Sequence, residues 1–273
     1  MLGKLLKYDI RHSARYTATI YMATLAFAAI SVVALLANST WLGVMSCFML
    51  YIAGIASVIV TLVSVIKNFY DTLYGRQGYL TFTLPVKCST VLLSKLIVSV
   101  LWIIVGFLVM AATLFVIFLY ARDKSAGIFE SFKDAFAISG IAEYIPSGLV
   151  IAEALIVVAI LAILTVVTYV GYVFFVVTIA NTGKFQSHPK LFGALVFFGI
   201  FSLVNTASNL LTEKLPLTFN ISSERVFFAF ADMFSVEDTL LSYGIGGIIF
   251  SAIVAAGLLV LTGYIMEHKV NIK

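Results

Sequence analysis

The chain has 273 residues, of which 62% are hydrophobic and only 11% charged, with a formal net charge of +4. An ordinary soluble domain carries about 25% charged residues, and a chain this poor in charge cannot cover a water-facing surface. A soluble globular enzyme, a disordered chain and a secreted disulfide scaffold are excluded, which leaves a polytopic membrane protein.

Residues 1–15 read MLGKLLKYDIRHSAR. Leu2, Leu5, Leu6 and Ile10 recur at helical spacing with Lys4, Lys7 and Arg11 between them, which predicts a short basic amphipathic helix lying on the membrane surface. Apolar runs then predict membrane spans at about 16–38, 42–66, 96–120, 149–180, 191–211 and 243–266. The fourth run is longer than a hydrocarbon core of about 30 Å requires at about 1.5 Å per residue. It must tilt strongly or continue as helix into the cytosol. In the polar segments 121–147 and 212–242, aromatic residues such as Phe129, Phe132, Phe227, Phe228, Phe230 and Phe234 recur between charges. Both segments read as short amphipathic helices that rest on the outer leaflet or close the outer mouth of a path.

Charge placement sets the orientation. With the N-terminus in the cytosol, the inside segments hold twelve Lys and Arg and the outside segments five. Acids run the other way, so the positive-inside rule puts both termini in the cytosol. The two halves do not repeat each other, unlike many carriers. The whole chain reads as one transmembrane domain, all α. Cys47 lies in a span and Cys88 in a polar segment, so no disulfide is expected.

Catalytic and cofactor chemistry lack residues. There is no H-E-x-x-H, no G-x-S-x-G and no Cys/His cluster, so no catalytic or metal site is expected. Thr182-Gly183-Lys184 lacks the upstream glycine and following hydroxyl of a phosphate-binding loop. The chain has no nucleotide site of its own. One carboxylate, Glu153, falls inside a predicted span, either as a cation contact or as an interfacial group reaching water. Asn205 and Asn209 lie one turn apart in the fifth span. They are candidates either for lining a path or for bonding a neighbouring helix. Gly247, Ser251 and Ala255 form a small-residue stripe that suits close helix packing, within the chain or across a dimer.

The segment 67–95 is polar enough to be cytosolic, yet it carries Phe69, Tyr70, Leu73, Tyr74, Tyr79, Leu80, Phe82 and Leu84. Gly75, Gly78 and Pro85 interrupt it. A short helix and turn presenting an apolar knob to a partner is one reading; a loop folding back under the spans is the other.

The run Gly78-Tyr79-Leu80-Thr81-Phe82-Thr83-Leu84-Pro85, followed by Leu93-Ser94-Lys95, resembles the permease subunits of bacterial ATP-binding-cassette transporters of the type-2 exporter class, especially those of Firmicutes. The resemblance takes in the six-span layout and the N-terminal helix. Arg76 and Gln77 stand where many relatives have an acidic pair. The resemblance implies a plasma-membrane permease that couples to two copies of a separate ATPase, with ATP and magnesium bound there. A second, identical permease subunit would complete the path. It also implies that 67–95 docks the ATPase, with Phe69, Tyr70, Tyr74, Tyr79 and Leu80 in contact. The substrate expected of such a relative is an amphipathic peptide, antimicrobial or cytolytic, or a hydrophobic drug. An ion-coupled secondary carrier and a non-transporting scaffold or sensor are the alternatives, and nucleic acid is not an expected partner.

Overall fold

Helix dominates the computed structural model, which describes residues 2–36, 40–75, 78, 87–124, 148–182, 189–214, 217–222, 225–230 and 239–268. In chain order the elements are α1 (Leu2–Leu36), α2 (Thr40–Leu73), α3 (Cys88–Lys124), α4 (Gly148–Ala180), α5 (Pro189–Lys214), β1 (Leu217–Ser222), β2 (Val226–Phe230), β3 (Thr239–Gly244) and α6 (Gly246–His268). All six helices are long and apolar enough to cross a membrane. The chain is a multi-pass membrane protein built mainly of helix. It divides into two compact units, Met1–Ile138 and Ser139–Lys273.

The first unit packs α1, α2 and α3 against one another. Its polarity is turned inside out relative to a soluble bundle. Met22, Leu25, Val33, Phe107 and Leu108 are exposed, whereas Ser13, Thr17, Thr24, Ser31, Ser57 and Thr61 are buried. Lipid is as apolar as leucine, so nothing drives large aliphatic groups inward, and small hydroxyl residues let helices approach. Each buried hydroxyl satisfies itself on its own helix. Thr17 donates to Ser13 O at 3.2 Å, Thr24 to Tyr21 O at 2.8 Å and Ser31 to Phe27 O at 2.9 Å.

The expected break between a surface helix and a first span is absent. α1 runs unbroken for 35 residues, and α2 and α3 have 34 and 37. At about 1.5 Å per residue each is about 50 Å long, well beyond a hydrocarbon core of about 30 Å. The apolar window of α1 begins only at Thr17. Its first turns therefore continue as part of the bundle instead of turning onto the surface. The reason is a polar stripe on the face that the sequence reading took as apolar. Asp9, Ser13 and Thr17 are all buried, while Leu2 is exposed. Asp9 forms a salt bridge with Lys95 of α3, and both side chains are 4% exposed. Ser94 donates to the other carboxylate oxygen at 2.8 Å. One turn further on, Trp102 Nε1 donates to Ser13 Oγ at 2.7 Å, and that hydroxyl donates to Asp9 O at 2.7 Å. Above this layer Tyr21 and Thr61 share a hydrogen bond of 2.8 Å between α1 and α2.

Replacing Ser13 by Ala removes the hydroxyl that accepts from Trp102 and leaves the ring contact between Trp102 and Tyr21 in place. The expected loss is about 1 kcal/mol, read as a lower melting temperature of the purified protein in mild detergent. An unchanged melting curve would mean that the Ser13 bond contributes nothing.

The second unit packs α4, α5 and α6 together and hangs a small sheet from them. The register between α4 and α6 is fixed at several points. Gly171 faces Ala255 and Leu259, and Tyr172 OH donates to Ser251 O at 3.0 Å. With the two helices in this register, the N-terminal turns of α4 rise beyond the start of α6. The overlong fourth run thus projects at its N-terminal end, the opposite end from the cytosolic extension expected, and the sheet packs beside the projection. Ala154, Phe219 and Ile245 form a core with Val157, Leu161, Leu217, Ile221 and Val226 around it.

The sheet replaces the helix expected in 212–242. Its order is β2-β1-β3, and both pairings are antiparallel. Leu217, Phe219 and Ile221 alternate onto the α4 side, opposite Phe230, Phe228 and Val226. Phe227, Phe228 and Phe230 fit either period over so short a run. The β-branched and aromatic content, with a helix to pack on, decides for strand. Asn220 is fully buried, donates to Thr218 Oγ1 at 2.9 Å and accepts from Ser242 Oγ, so its amide is a sheet-packing group. The companion segment read as helix in 121–147 lies outside the described residues from 125 onward. Neither Cys47 nor Cys88 is in a disulfide.

Candidate functional site

A polar cavity of about 220 Å³ opens among α4, α5, α6 and the end of β3. α4 contributes Thr165, Thr168, Tyr169 and Tyr172. These fall at i, i+3, i+4 and i+7 on a helix that is otherwise almost wholly apolar, so they form one polar stripe. α5 contributes Phe201 and, on the next turns, Asn205, Ser208, Asn209 and Thr212. Gly247 and Ser251 of α6 close the far wall, and Tyr243 and Gly244 of β3 form the sheet end.

Close approach of α5 and α6 makes the floor. A side chain at Gly247 would begin 2.7 Å from Thr212 Oγ1 and 3.0 Å from Ser208 O. Instead the Gly247 N–H donates to Thr212 Oγ1 at 3.0 Å. That hydroxyl in turn donates to Ser208 O at 2.9 Å. The small-residue stripe of α6 is therefore used inside this chain: Gly247 against α5, Ala255 against Gly171 of α4.

The hydrogen-bonding capacity of the cavity is only partly used. Thr165 and Thr168 donate to Leu161 O and Leu164 O at 2.8 and 2.9 Å, leaving their oxygens as acceptors. Ser208 Oγ is buried with no hydrogen-bond partner. Neither the Asn205 nor the Asn209 amide has a partner among the described residues. Among the described residues, the lining contains no Asp, Glu, Lys or Arg. Such a cavity can hold a neutral group that both donates and accepts hydrogen bonds. Among the described residues, no three His, Cys, Asp or Glu side chains come together as metal ligands.

The sequence-predicted residues divide. Asn205 and Asn209 stand together in the cavity wall. Glu153 is not part of it; it is exposed on the projecting turns of α4. The α4 stripe escaped the sequence reading, although its polar residues at 165, 168, 169 and 172 were a visible signal. In the first unit, Phe69 and Leu73 are 1% and 0% exposed, packed within the bundle. Tyr70 is exposed and Tyr74 half-buried, with the ring of Tyr74 6.4 Å from Phe69 and 6.5 Å from Tyr70. α2 ends where Gly75 N–H bonds Tyr70 O at 3.0 Å. Gly78 then folds back so closely on Leu73 O that no side chain would fit. Tyr79 and Leu80 lie outside the described residues. The first unit also holds what sequence reading missed altogether, the buried Asp9–Lys95 pair.

No family model, no curated protein and no solved structure matches the chain.

Proposed function

We propose that the chain is the membrane permease of an ATP-driven exporter and that a separate ATPase supplies the energy. The observation that carries this reading is the neutral polar cavity walled by three helices able to cross a membrane. A scaffold gains nothing from unpartnered amides inside a span, where each costs free energy. An ion-driven carrier would place charged groups at such a site, and the described lining has no Asp, Glu, Lys or Arg. Transport without an ion gradient needs another source, and the chain has no phosphate-binding loop. The resemblance of residues 78–85 and 93–95 to type-2 exporter permeases supports an ATPase docking at the end of α2. Tyr70, exposed there, and Tyr79 and Leu80, which follow in the sequence, are the proposed contacts, with Tyr74 packed beside Tyr70 and Phe69 against Tyr74. A second copy of the chain would complete the path. ATP would act by binding one conformation of the assembly better than another.

Affinity purification of the tagged protein in mild detergent tests this. The expected result is a co-purifying Walker-A protein with ATPase activity, lost when Tyr79 and Leu80 are both changed to Asp. A pure chain, with no nucleotide-binding partner and no ATPase activity, would overturn the exporter reading.

A further inference from the structure

We propose that the cavity of the second unit grips the main chain of an extended, uncharged peptide segment and passes it to the open edge of β3. The inference rests on the exporter reading and names the substrate chemistry of its site.

Size and charge narrow the ligand first. About 220 Å³ is less than the roughly 300–1,000 Å³ of a pocket for a drug-sized molecule. A phosphate or sulfate would want a cation, and the described lining offers none. What it offers is side-chain amides and hydroxyls. An Asn amide presents one acceptor and two donors in a plane, matching the C=O and N–H of a peptide unit.

Spacing points the same way. Asn205 and Asn209 are one helical turn apart, so their Cβ atoms are about 6 Å apart. An extended chain repeats its orientation every two residues, about 6.6 Å. Two such amides can therefore hold successive equivalent peptide units of one strand. The Ser208 hydroxyl, buried without a partner between them, supplies a further donor or acceptor.

The sheet provides the exit. β3 is an outer strand of the sheet, and no described strand covers its other edge. Ile245 N–H donates to Leu217 O at 2.9 Å. Antiparallel pairing alternates, so Tyr243 turns its main-chain groups toward β1 while Ser242 and Gly244 turn theirs toward the uncovered edge. Tyr243 and Gly244 line the cavity. A strand leaving the Asn pair thus meets an edge ready for strand addition. Main-chain recognition of this kind is indifferent to peptide sequence.

The test uses the full chain in lipid nanodiscs and a fluorescein-labelled, acetylated and amidated Thr-Ala octapeptide, followed by fluorescence anisotropy. Saturable binding is expected. Asn205→Leu with Asn209→Leu should weaken it about tenfold, the loss of two modest hydrogen-bonding pairs. N-methylation of alternate peptide nitrogens should weaken binding to the unaltered protein similarly, whatever the variant does to folding. Permuting the Thr and Ala order should change nothing. No saturable binding, or binding indifferent to both the Asn changes and N-methylation, would overturn the inference. So would native mass spectrometry showing a phospholipid held in the cavity and released by the Asn changes while peptide binding persists. Each of these failures with the Walker-A partner still co-purifying would leave the exporter reading standing.

Discussion

Replacing Asp9 by Leu should lower the stability of the protein by about 3–5 kcal/mol, because it strands a buried ammonium group without its counter-charge. Lys95 is almost wholly enclosed between α1 and α3, and Asp9 is its salt-bridge partner. Ser94 loses its acceptor in the same stroke. The informative companion is the double variant Asp9→Leu with Lys95→Met. Two apolar groups of similar volume avoid the desolvation of both charges, so the double variant should recover most of the loss. Thermal unfolding in mild detergent reads both. If Asp9→Leu and the unaltered protein melt together, the pair does not form. If the double variant is as unstable as the single one, the loss comes from packing and not from charge.

The second large effect is expected at Gly247. Gly247→Val would drive a branched side chain into Thr212 Oγ1 and the Ser208 backbone. Overpacking of this sort costs about 1–3 kcal/mol, and here it also displaces the Gly247–Thr212 hydrogen bond. Gly257 is the control on the same helix, since nothing lies within 4 Å of a side chain placed there. Gly257→Val should stay within about 0.5 kcal/mol of the unaltered protein. Equal melting temperatures for the two variants would refute the close α5–α6 crossing.

The six spans were legible because a hydrocarbon core demands long apolar runs, and little else in a sequence produces them. Where the helices end was not legible in the first unit. Membrane crossing sets only the minimum length, and α1, α2 and α3 continue past it by packing on one another. Asp9 and Lys95 show why. Each sits in a polar stretch of its own, and two charges in two such stretches look solvated until the fold brings them together. The sheet was missed because the Phe227–Phe230 run is too short to reveal its period. The site was half visible. Asn205 and Asn209 stand out as amides in a span, whereas threonines and tyrosines blend into an apolar helix unless their spacing is counted. That they converge with α5 on one cavity is a property of helix register, which no single segment encodes.

The sheet between α5 and α6 sets a mechanical limit on the second unit. β1 follows α5 after two residues, and β3 enters α6 through Ile245 alone. The two strands are paired side by side. A ratchet of α5 past α6 by one helical turn, about 5.4 Å, would shear that ladder by between one and two residues at about 3.4 Å each. A slip of one residue would turn Phe219 away from the α4 core and put Thr218 and Asn220 into it. The ladder thus acts as a crossbar that forbids sliding and leaves pivoting free. Stroke length in this half of the molecule is limited to what a tilt of the α5–α6 pair, moving as one lever, can deliver.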